Sequence, residues 1–349
     1  MKSIITIVTL SFLFNFSAFA QDYIAQVKPS GQKLWGYVNS SGEMVIKPKF
    51  KKCYQFTNEG LAPIYEGKKF YFIDKKGETI STEITGFKMI EGGLGFGGLQ
   101  SFSDGLVAVV KDKKWGYLNT DGKIAIKLQY DKVTSFENGF ATAKKGNSYF
   151  VINKAGEETK IEGPGVYVVK RFSEGLAPYH DKDKVHGFVD TNGKVVIKAK
   201  FTTVGYFANG LAWAKTPDKK VGYINKTGEW AIKPSFLAAK NFDSVSGLAR
   251  IKNETSWAYV NTAGELLKVT TETYGDFGDG LALGKKDGKV GYFNAQGEWV
   301  IKPQFEAGRK FKNGFAAVKK NGKWGFVNKS GELVVKAKFD GIKDMEKVN

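Results

Sequence analysis

The sequence is poor in the residue types that most catalytic and metal sites require. Its 349 residues include one cysteine, Cys53, and two histidines, His180 and His186. A single cysteine excludes an intramolecular disulfide, and we interpret Cys53 as a small buried hydrophobe. Two histidines leave little room for a Ser-His-Asp triad, and no serine stands in a G-x-S-x-G motif. These shortages argue against a hydrolytic enzyme.

The two histidines lie close together in the charged stretch YHDKDKVHG, with Asp181 and Asp183 between them. All four side chains are of types that bind metals, but a zinc site needs further ligands, and no cysteine or third histidine is near in sequence. His186 also occupies a position that carries an aromatic ring elsewhere in the chain. We therefore predict no metal site and no cofactor.

Arginine is scarce as well, whereas lysine is abundant. Lysine and arginine together number 53 against 35 acidic residues, which gives a formal net charge of +18. The arginines are Arg171, Arg250 and Arg309. Specific contacts to nucleic-acid bases rely heavily on arginine. We therefore expect the partner of this basic chain not to be a nucleic acid.

The one long apolar run lies at the beginning of the chain. Residues 4–16 are mostly apolar, follow Lys2, and precede the A-x-A sequence at 18–20. This order predicts a signal peptide over residues 1–20 and a mature chain that starts near Gln21. The run is short for a transmembrane helix, and Gln21 is not the cysteine of a lipoprotein. We expect an exported protein, periplasmic or extracellular, without a transmembrane segment.

One sequence motif recurs nine times, about every 35 residues. A period of this length indicates a repeat array. The first copy is WGYVNSSGE followed by MVIKPKF. An asparagine or aspartate opens each turn because its side chain can bond the backbone two residues on, and glycine closes the turn in a left-handed conformation. The turn pairs are Asn39/Gly42, Asp74/Gly77, Asn119/Gly122, Asn153/Gly156, Asp190/Gly193, Asn225/Gly228, Asn261/Gly264, Asn294/Gly297 and Asn328/Gly331.

A second anchor, a phenylalanine followed by a glycine, separates these motifs and leads into a further strand. Its copies are Phe56/Gly60, Phe102/Gly105, Phe136/Gly139, Phe172/Gly175, Phe207/Gly210, Phe242/Gly247, Phe277/Gly280 and Phe311/Gly314. One unit is thus predicted as an antiparallel meander of three strands. We predict an all-β fold, with one repeat array over residues 21–349. We favour a superhelical, solenoid-like array, with a closed propeller-like ring as the alternative. Residues 23–27 supply the matching strand of the first unit, so the ends are in phase.

A glycine follows the aromatic residue in six copies, and a glycine inside a strand usually marks a bulge or a close approach of other atoms. These glycines are Gly36, Gly116, Gly187, Gly222, Gly291 and Gly325. Because they stand at equivalent positions, we expect a ring or backbone of the neighbouring unit to pack over each of them. Their role is then packing rather than ligand contact.

The string K-W-G-Y-V-N-x-x-G-x-x-V-I-K-P-x-F, followed by F-x-x-G-L-A, resembles the WG (Trp-Gly) β-repeat family. The best matches are KWGYLN at 114–119 and KWGFVN at 323–328. The departures are Phe70, Tyr149, His186, Val221 and Val290 in the aromatic position and Ala258 in place of glycine. The resemblance implies a β array over essentially the whole mature chain, and it implies no catalytic activity.

Lysines concentrate in the hairpin turns that precede the aromatic–glycine strands, and equivalent turns of a regular array share one edge. Such a basic edge attracts anionic polymers. The alternative is that these lysines only protect exposed strand edges from aggregation. The candidate binding lysines are Lys113, Lys114, Lys219, Lys220, Lys285, Lys286, Lys319 and Lys320. A second set in the third position of the VIKPKF-like strands is Lys47, Lys127, Lys198, Lys233, Lys302 and Lys336.

Two features depart from the regular pattern. Between Gly77 and Gly122 the spacing of turns is longer than elsewhere, because of a glycine-rich insertion at about 86–99. Insertions in repeat proteins often lie on the binding face, so Phe96 is a candidate contact residue. Trp213, Trp230 and Trp299 lie outside the usual tryptophan position. They are candidate stacking platforms for sugars or partner strands, with core packing as the alternative.

Two functions from different classes remain. The first is a non-catalytic binding scaffold that recognises a protein or an anionic envelope polymer, such as lipopolysaccharide, peptidoglycan or polysaccharide, through one repeat face. The second is a hydrolase or metal-binding protein whose site is assembled between units. The sequence favours the first, because repeat-equivalent positions explain most of the carboxylates and His186.

Overall fold

The computed structural model describes residues 23–89, 101–163 and 165–349. The predicted signal peptide, Phe96 and most of the glycine-rich insertion lie outside these residues. The described chain is built of β-strands joined by turns, which confirms the all-β repeat array. No helix in this part of the chain is long and apolar enough to cross a membrane.

The first half of the described chain forms seventeen strands. They are β1 (Tyr23–Pro29), β2 (Trp35–Asn39), β3 (Met44–Phe50), β4 (Ala62–Glu66), β5 (Lys69–Ile73), β6 (Thr79–Ile80), β7 (Lys88–Met89), β8 (Leu106–Lys111), β9 (Lys114–Asn119), β10 (Ile124–Tyr130), β11 (Lys132–Val133), β12 (Phe140–Lys145), β13 (Ser148–Asn153), β14 (Glu158–Lys160), β15 (Val168–Val169), β16 (Leu176–His180) and β17 (His186–Asp190).

The strands of the second half repeat the same order and end in one long strand. They are β18 (Val195–Phe201), β19 (Thr203–Val204), β20 (Ala212–Lys215), β21 (Val221–Ile224), β22 (Trp230–Phe236), β23 (Ala238–Ala239), β24 (Leu248–Lys252), β25 (Trp257–Asn261), β26 (Leu266–Leu267), β27 (Phe277–Gly278), β28 (Leu281–Lys286), β29 (Lys289–Phe293), β30 (Trp299–Phe305), β31 (Ala307–Gly308), β32 (Phe315–Lys320), β33 (Lys323–Asn328) and β34 (Val335–Lys347).

Seven units have a short first strand in addition to the predicted three-stranded meander, whereas β4 to β6 form a sheet of three strands only. The short first strands are β7, β11, β15, β19, β23, β27 and β31. In a typical unit, β11, β12, β13 and β14 pair antiparallel in that order. The short first strand directly follows the fourth strand of the preceding unit, as β11 follows β10. We number the units 1 to 9 along the described chain, with β1 to β3 in unit 1 and β31 to β33 in unit 9.

The two ends of the described chain pair with each other and close the array. The first part of β34 pairs with β33 in unit 9, and its second part pairs with β1, so that β34 supplies the first strand of unit 1. In the second pairing Tyr23 lies opposite Lys347 and Ala25 opposite Met345. The strand pairing thus gives the propeller-like ring, the alternative of the two predicted shapes.

The hydrophobic core is divided among the interfaces between neighbouring units. In the described residues each of nine buried clusters joins one unit to the next. The closing interface has its own cluster, in which Ala25, Val27 and Val38 of unit 1 pack with Phe326 and Phe339. A single unit has too little apolar surface of its own to bury, so each unit depends on both neighbours.

The expectation for the glycines after the aromatic residue is wrong about which strand approaches them. A Cβ on Gly116 would lie 2.5 Å from the carbonyl oxygen of Ile126. Ile126 belongs to β10, the fourth strand of the same unit, where the pairing with β9 contains a bulge. Gly36, Gly187, Gly222, Gly291 and Gly325 meet the equivalent carbonyl of their own unit. A bulge brings the backbone of one strand close to its partner, and only glycine leaves room for it.

The three units without this glycine also have a short fourth strand. Tyr71, Phe150 and Ala258 stand in the glycine position of units 2, 4 and 7. Their fourth strands, β6, β14 and β26, are two or three residues long, whereas those of the glycine-containing units are at least seven residues long. The glycine and the VIKPKF-like strand are therefore one structural feature, since the bulged strand needs the space above the glycine.

Turns of equivalent type contact each other around the ring. At the phenylalanine–glycine turns, a carboxylate of one unit accepts the backbone N–H of the glycine in the next, as Asp104 does from Gly139 at 2.7 Å and Asp279 from Gly314 at 2.6 Å. In unit 1 this turn is replaced by the chain ends. There Asn313 Nδ2 donates to the carbonyl of Met345.

Replacing Gly116 with alanine tests the bulge. The added Cβ overlaps the Ile126 carbonyl, so we expect Gly116→Ala to lower the free energy of unfolding by about 1 to 3 kcal/mol. Ala258→Gly in unit 7 is the matched control and should cost no more than about 1 kcal/mol, the entropic cost of a glycine. Denaturant unfolding followed by tryptophan fluorescence measures both. Equal losses in the two variants would contradict this account.

Candidate binding surfaces

The predicted lysines all lie at one end of the sheets. Because strands alternate in direction, the hairpins between second and third strands share a face with the crossovers from unit to unit, and the other two kinds of turn share the opposite face. Lys113, Lys219, Lys286 and Lys320 are exposed at hairpins of units 3, 6, 8 and 9. We define the lysine rim as the eight predicted lysines Lys113, Lys114, Lys219, Lys220, Lys285, Lys286, Lys319 and Lys320.

Most of the lysine rim has no acidic partner in the described chain. Lys114 pairs with Asp131 at 2.6 Å, and Lys220 approaches Glu254 of the next hairpin at 3.5 Å. No carboxylate of the described residues lies within ion-pair distance of the other six lysines. The hairpin of unit 7 carries Glu254 instead of a lysine pair and interrupts the rim there.

Two rim lysines occupy backbone conformations that favour glycine. Lys113 has φ 65° and Lys219 has φ 66°, in the left-handed region. Gly288 and Gly322 occupy the position of Lys113 in the hairpins of units 8 and 9, with φ 70° and 73°. A side chain in this region costs roughly 1 to 2 kcal/mol. Lysine is therefore present at these tips at some cost to the fold.

The glutamates of the opposite face serve the turns. In the asparagine–glycine turns, the side-chain amide donates to a glutamate four residues on, as Asn153 does to Glu157 at 2.6 Å and Asn261 to Glu265 at 2.8 Å. The asparagine oxygen accepts two backbone N–H groups of the same turn. These carboxylates therefore stabilise turns.

All three arginines lie in ion pairs with neighbouring units. Arg171 donates to Glu137 at 2.8 Å and its guanidinium lies 4.5 Å from the centre of the Tyr206 ring. Arg250 pairs with Asp276, and Arg309 lies 3.6 Å from Asp344. Because the arginines are engaged in these ion pairs, the cationic groups of the rim are its lysines.

The three candidate tryptophans pack against the core and lie away from the rim tips. Trp230 and Trp299 begin the fourth strands β22 and β30, at the opposite end of the sheets from the hairpins. Trp230 contacts Phe201 edge-on, with ring centres 5.6 Å apart. Trp213 is half-buried and covers Gly205. The structure therefore does not bring the candidate lysines and tryptophans into one site, and Phe96 lies outside the described residues.

The histidine pair lies at the hairpin of unit 5, where His180 and His186 are opposite each other in neighbouring strands. Their ring centres are 5.3 Å apart. Burial lowers the pKa of His186, and nearby Lys170 acts in the same direction. Within the described ranges no group of three metal-ligating side chains lies together.

Sequence reasoning missed a cavity beside the strand that closes the ring. It has a volume of about 630 Å³ and is lined by residues of units 1, 2, 3 and 9, among them Gln26, Cys53, Lys312 and Glu346. The signal in the sequence was the end of the last repeat. There DMEKVN replaces the phenylalanine–glycine turn of the other units.

The reactivity of Cys53 tests its interpretation as an inert core residue. Burial raises the pKa of its thiol to about 11. The thiolate is the reactive form, so at pH 8 we expect iodoacetamide to label the native protein at least about 100-fold more slowly than the denatured chain. The folded pKa is the higher one, so this group's contribution to stability is lost as the pH rises toward 11. Rapid labelling of the native protein at pH 8 would show an accessible, reactive thiol instead.

Comparison with solved structures shows similarity in fold. A crystal structure of a eukaryotic initiation factor is similar with a TM-score of 0.63 and 12% identity, over 93% of this chain and 97% of that chain. This likeness concerns the fold alone. PorZ, a bacterial surface component of the type-IX secretion system of Porphyromonas gingivalis, has a TM-score of 0.34 and 10% identity, over 90% of this chain and 50% of that chain. That similarity is too distant to add to the argument. No curated protein matches the chain.

The family profile matches mainly the units that have a glycine after the aromatic residue. The profile of the WG containing repeat matches residues 35–70, 95–115, 115–149, 187–219, 222–254, 291–324 and 324–347. Six of these segments begin at the aromatic–glycine pair of units 1, 3, 5, 6, 8 and 9, the units with a bulged fourth strand. The profile thus matches seven segments and does not itself count nine repeats. Because the matches cover more than half of the sequence, the chain belongs to the WG containing repeat family.

Proposed function

We propose that this chain is a non-catalytic binding scaffold that holds an anionic polymer of the cell envelope along its lysine rim. The observation that carries the proposal is the contrast between charged groups. The arginines and most turn glutamates have structural partners, whereas six rim lysines lie on one face without a carboxylate partner in the described chain. The predicted signal peptide is the basis for the envelope location.

An anionic polymer suits the rim better than a folded protein partner does. Interfaces between proteins usually depend on buried aromatic or arginine anchors. In this chain the arginines are engaged with neighbouring units, and the three candidate tryptophans pack against the core. Flexible lysines spaced along a face interact with a chain of negative charges without needing one docking geometry. Lysine at the strained tips of Lys113 and Lys219 also has no structural benefit that glycine would lack.

Removing the unpaired rim charges tests the proposal. The rim variant carries Lys113→Gly, Lys219→Gly, Lys285→Gln, Lys286→Gln, Lys319→Gln and Lys320→Gln. We expect its affinity for purified lipopolysaccharide to fall by about tenfold or more at 50 mM salt, and the affinity of the native chain to fall similarly when salt is raised to about 200 mM. Biolayer interferometry measures both.

The matched control removes the same number of lysines from the fourth strands. It carries glutamine at Lys47, Lys127, Lys198, Lys233, Lys302 and Lys336, all of them exposed. We expect this control to bind within about threefold of the native chain, since local charge rather than net charge decides the affinity. Equal losses in the two variants, or binding that does not respond to salt, would refute the rim as the site. Lys113→Gly and Lys219→Gly alone should not lower the free energy of unfolding, because they relieve the left-handed strain.

A further inference from the structure

The cavity beside the closing strand forms where the repeat pattern is broken. In the other units a phenylalanine–glycine turn joins the first and second strands, but in unit 1 these strands belong to opposite ends of the chain. The backbone N–H of Asn349 donates to the carbonyl of Asn58, and the Lys75 ammonium group donates to a main-chain oxygen of Asn349. The cavity volume of about 630 Å³ is within the range of small-molecule sites, roughly 300 to 1,000 Å³.

The interior of this cavity, which we call the seam cavity, is built around a carboxylate. Glu346 is 9% exposed and accepts from Gln55 at 2.6 Å, Lys312 at 2.7 Å and Asn313 at 3.4 Å. These donors come from unit 2 and unit 9, while Glu346 lies on β34. The network therefore fixes polar groups of three units in one place.

Further polar groups of the seam cavity are amides and hydroxyls. Gln26 is buried and donates to the carbonyl of Cys53 at 3.0 Å. Asn58 and Thr57 line the same space. The Ser101 hydroxyl is buried and has no hydrogen-bond partner in the part of the chain that the structure describes. Amides and hydroxyls both donate and accept hydrogen bonds, as the hydroxyl groups of a sugar do.

Two aromatic side chains and several lysines complete the lining. Trp35 and Tyr54 are half-buried and offer ring surface on which the apolar face of a sugar can pack. Lys51 and Lys343 also line the seam cavity and are exposed. Their charges favour a ligand that bears an anionic group. The lining thus combines ring surfaces, two-way hydrogen-bonding groups and cationic side chains.

We propose that the seam cavity binds an acidic saccharide, with a carboxylate-bearing sugar held between Trp35, the amides around Glu346, and Lys51 and Lys343. This site is separate from the lysine rim and does not depend on the function proposed for it. A neutral sugar would use the rings and amides but not the lysines, and inorganic phosphate would use the lysines alone. The combination selects a ligand with both features.

Calorimetric titration with trigalacturonate tests the proposal, with maltotriose and inorganic phosphate as comparison ligands. We expect saturable binding of trigalacturonate at one site per chain and at least tenfold weaker binding of the other two. Lys51→Gln with Lys343→Gln should weaken trigalacturonate binding about tenfold. The control pair Lys47→Gln with Lys336→Gln removes the same charge outside the cavity and should change the affinity less than twofold.

A tryptophan pair separates binding from stability. Trp35 and Trp115 hold the same position in units 1 and 3, and Trp115 packs against a cluster of units 3 and 4. We expect Trp35→Phe to weaken trigalacturonate binding about fivefold and Trp115→Phe to leave it unchanged, with similar thermal midpoints for the two variants. Equal effects on binding, or equal affinity for maltotriose and trigalacturonate in the native chain, would overturn the proposal. The rim variant should still bind trigalacturonate, so failure of either site is recognised independently.

Discussion

The closed array depends on one contact that is repeated from unit to unit. In this contact an aromatic side chain of the third strand packs against the turn phenylalanine of the next unit. The ring centres lie 4.7 to 4.9 Å apart in seven described pairs, from Tyr37 with Phe56 to Tyr292 with Phe311. Where the ring is tyrosine, its hydroxyl also donates to the next unit, as Tyr117 does to the carbonyl of Thr134 at 2.6 Å. This contact joins neighbouring units rather than strands within one unit. The stability of each unit therefore depends on the closed array.

This constraint divides the side chains into two groups. Positions that serve the interfaces are filled by rings, small residues and partnered charges, and the arginine pairs Arg171–Glu137 and Arg250–Asp276 belong to this group. The hairpin tips lie outside the interfaces, so that their residues are free to vary. Unit 8 has glycine at a tip where unit 3 has Lys113. Surface chemistry can thus change from unit to unit while the ring is retained.

The sequence predicted what local patterns determine and missed what depends on distant pairing. The turns at Asn39/Gly42 and their equivalents follow from side-chain and glycine chemistry within five residues, and they are present as expected. At Gly116 the close approach comes from the bulged fourth strand of the same unit. The repeat period of the sequence does not distinguish this approach from a contact with the next unit. The pairing of Tyr23 with Lys347 joins residues from the two ends of the described chain. The in-phase ends of the repeat pattern were compatible with a closed ring, but they did not distinguish it from an open array.

The seam cavity was beyond sequence reasoning for a related reason, since it results from a break in the repeat. At the closing interface Phe326 packs in a cluster with Met345, which takes the place of the turn phenylalanine. The chain ends stand where a turn would, and Gln55, Lys312 and Asn313 converge on Glu346. Burial raises the pKa of this carboxyl group, although Lys312 acts in the opposite direction. A closed ring must join its ends somewhere, and here that join replaces an apolar turn with a polar network.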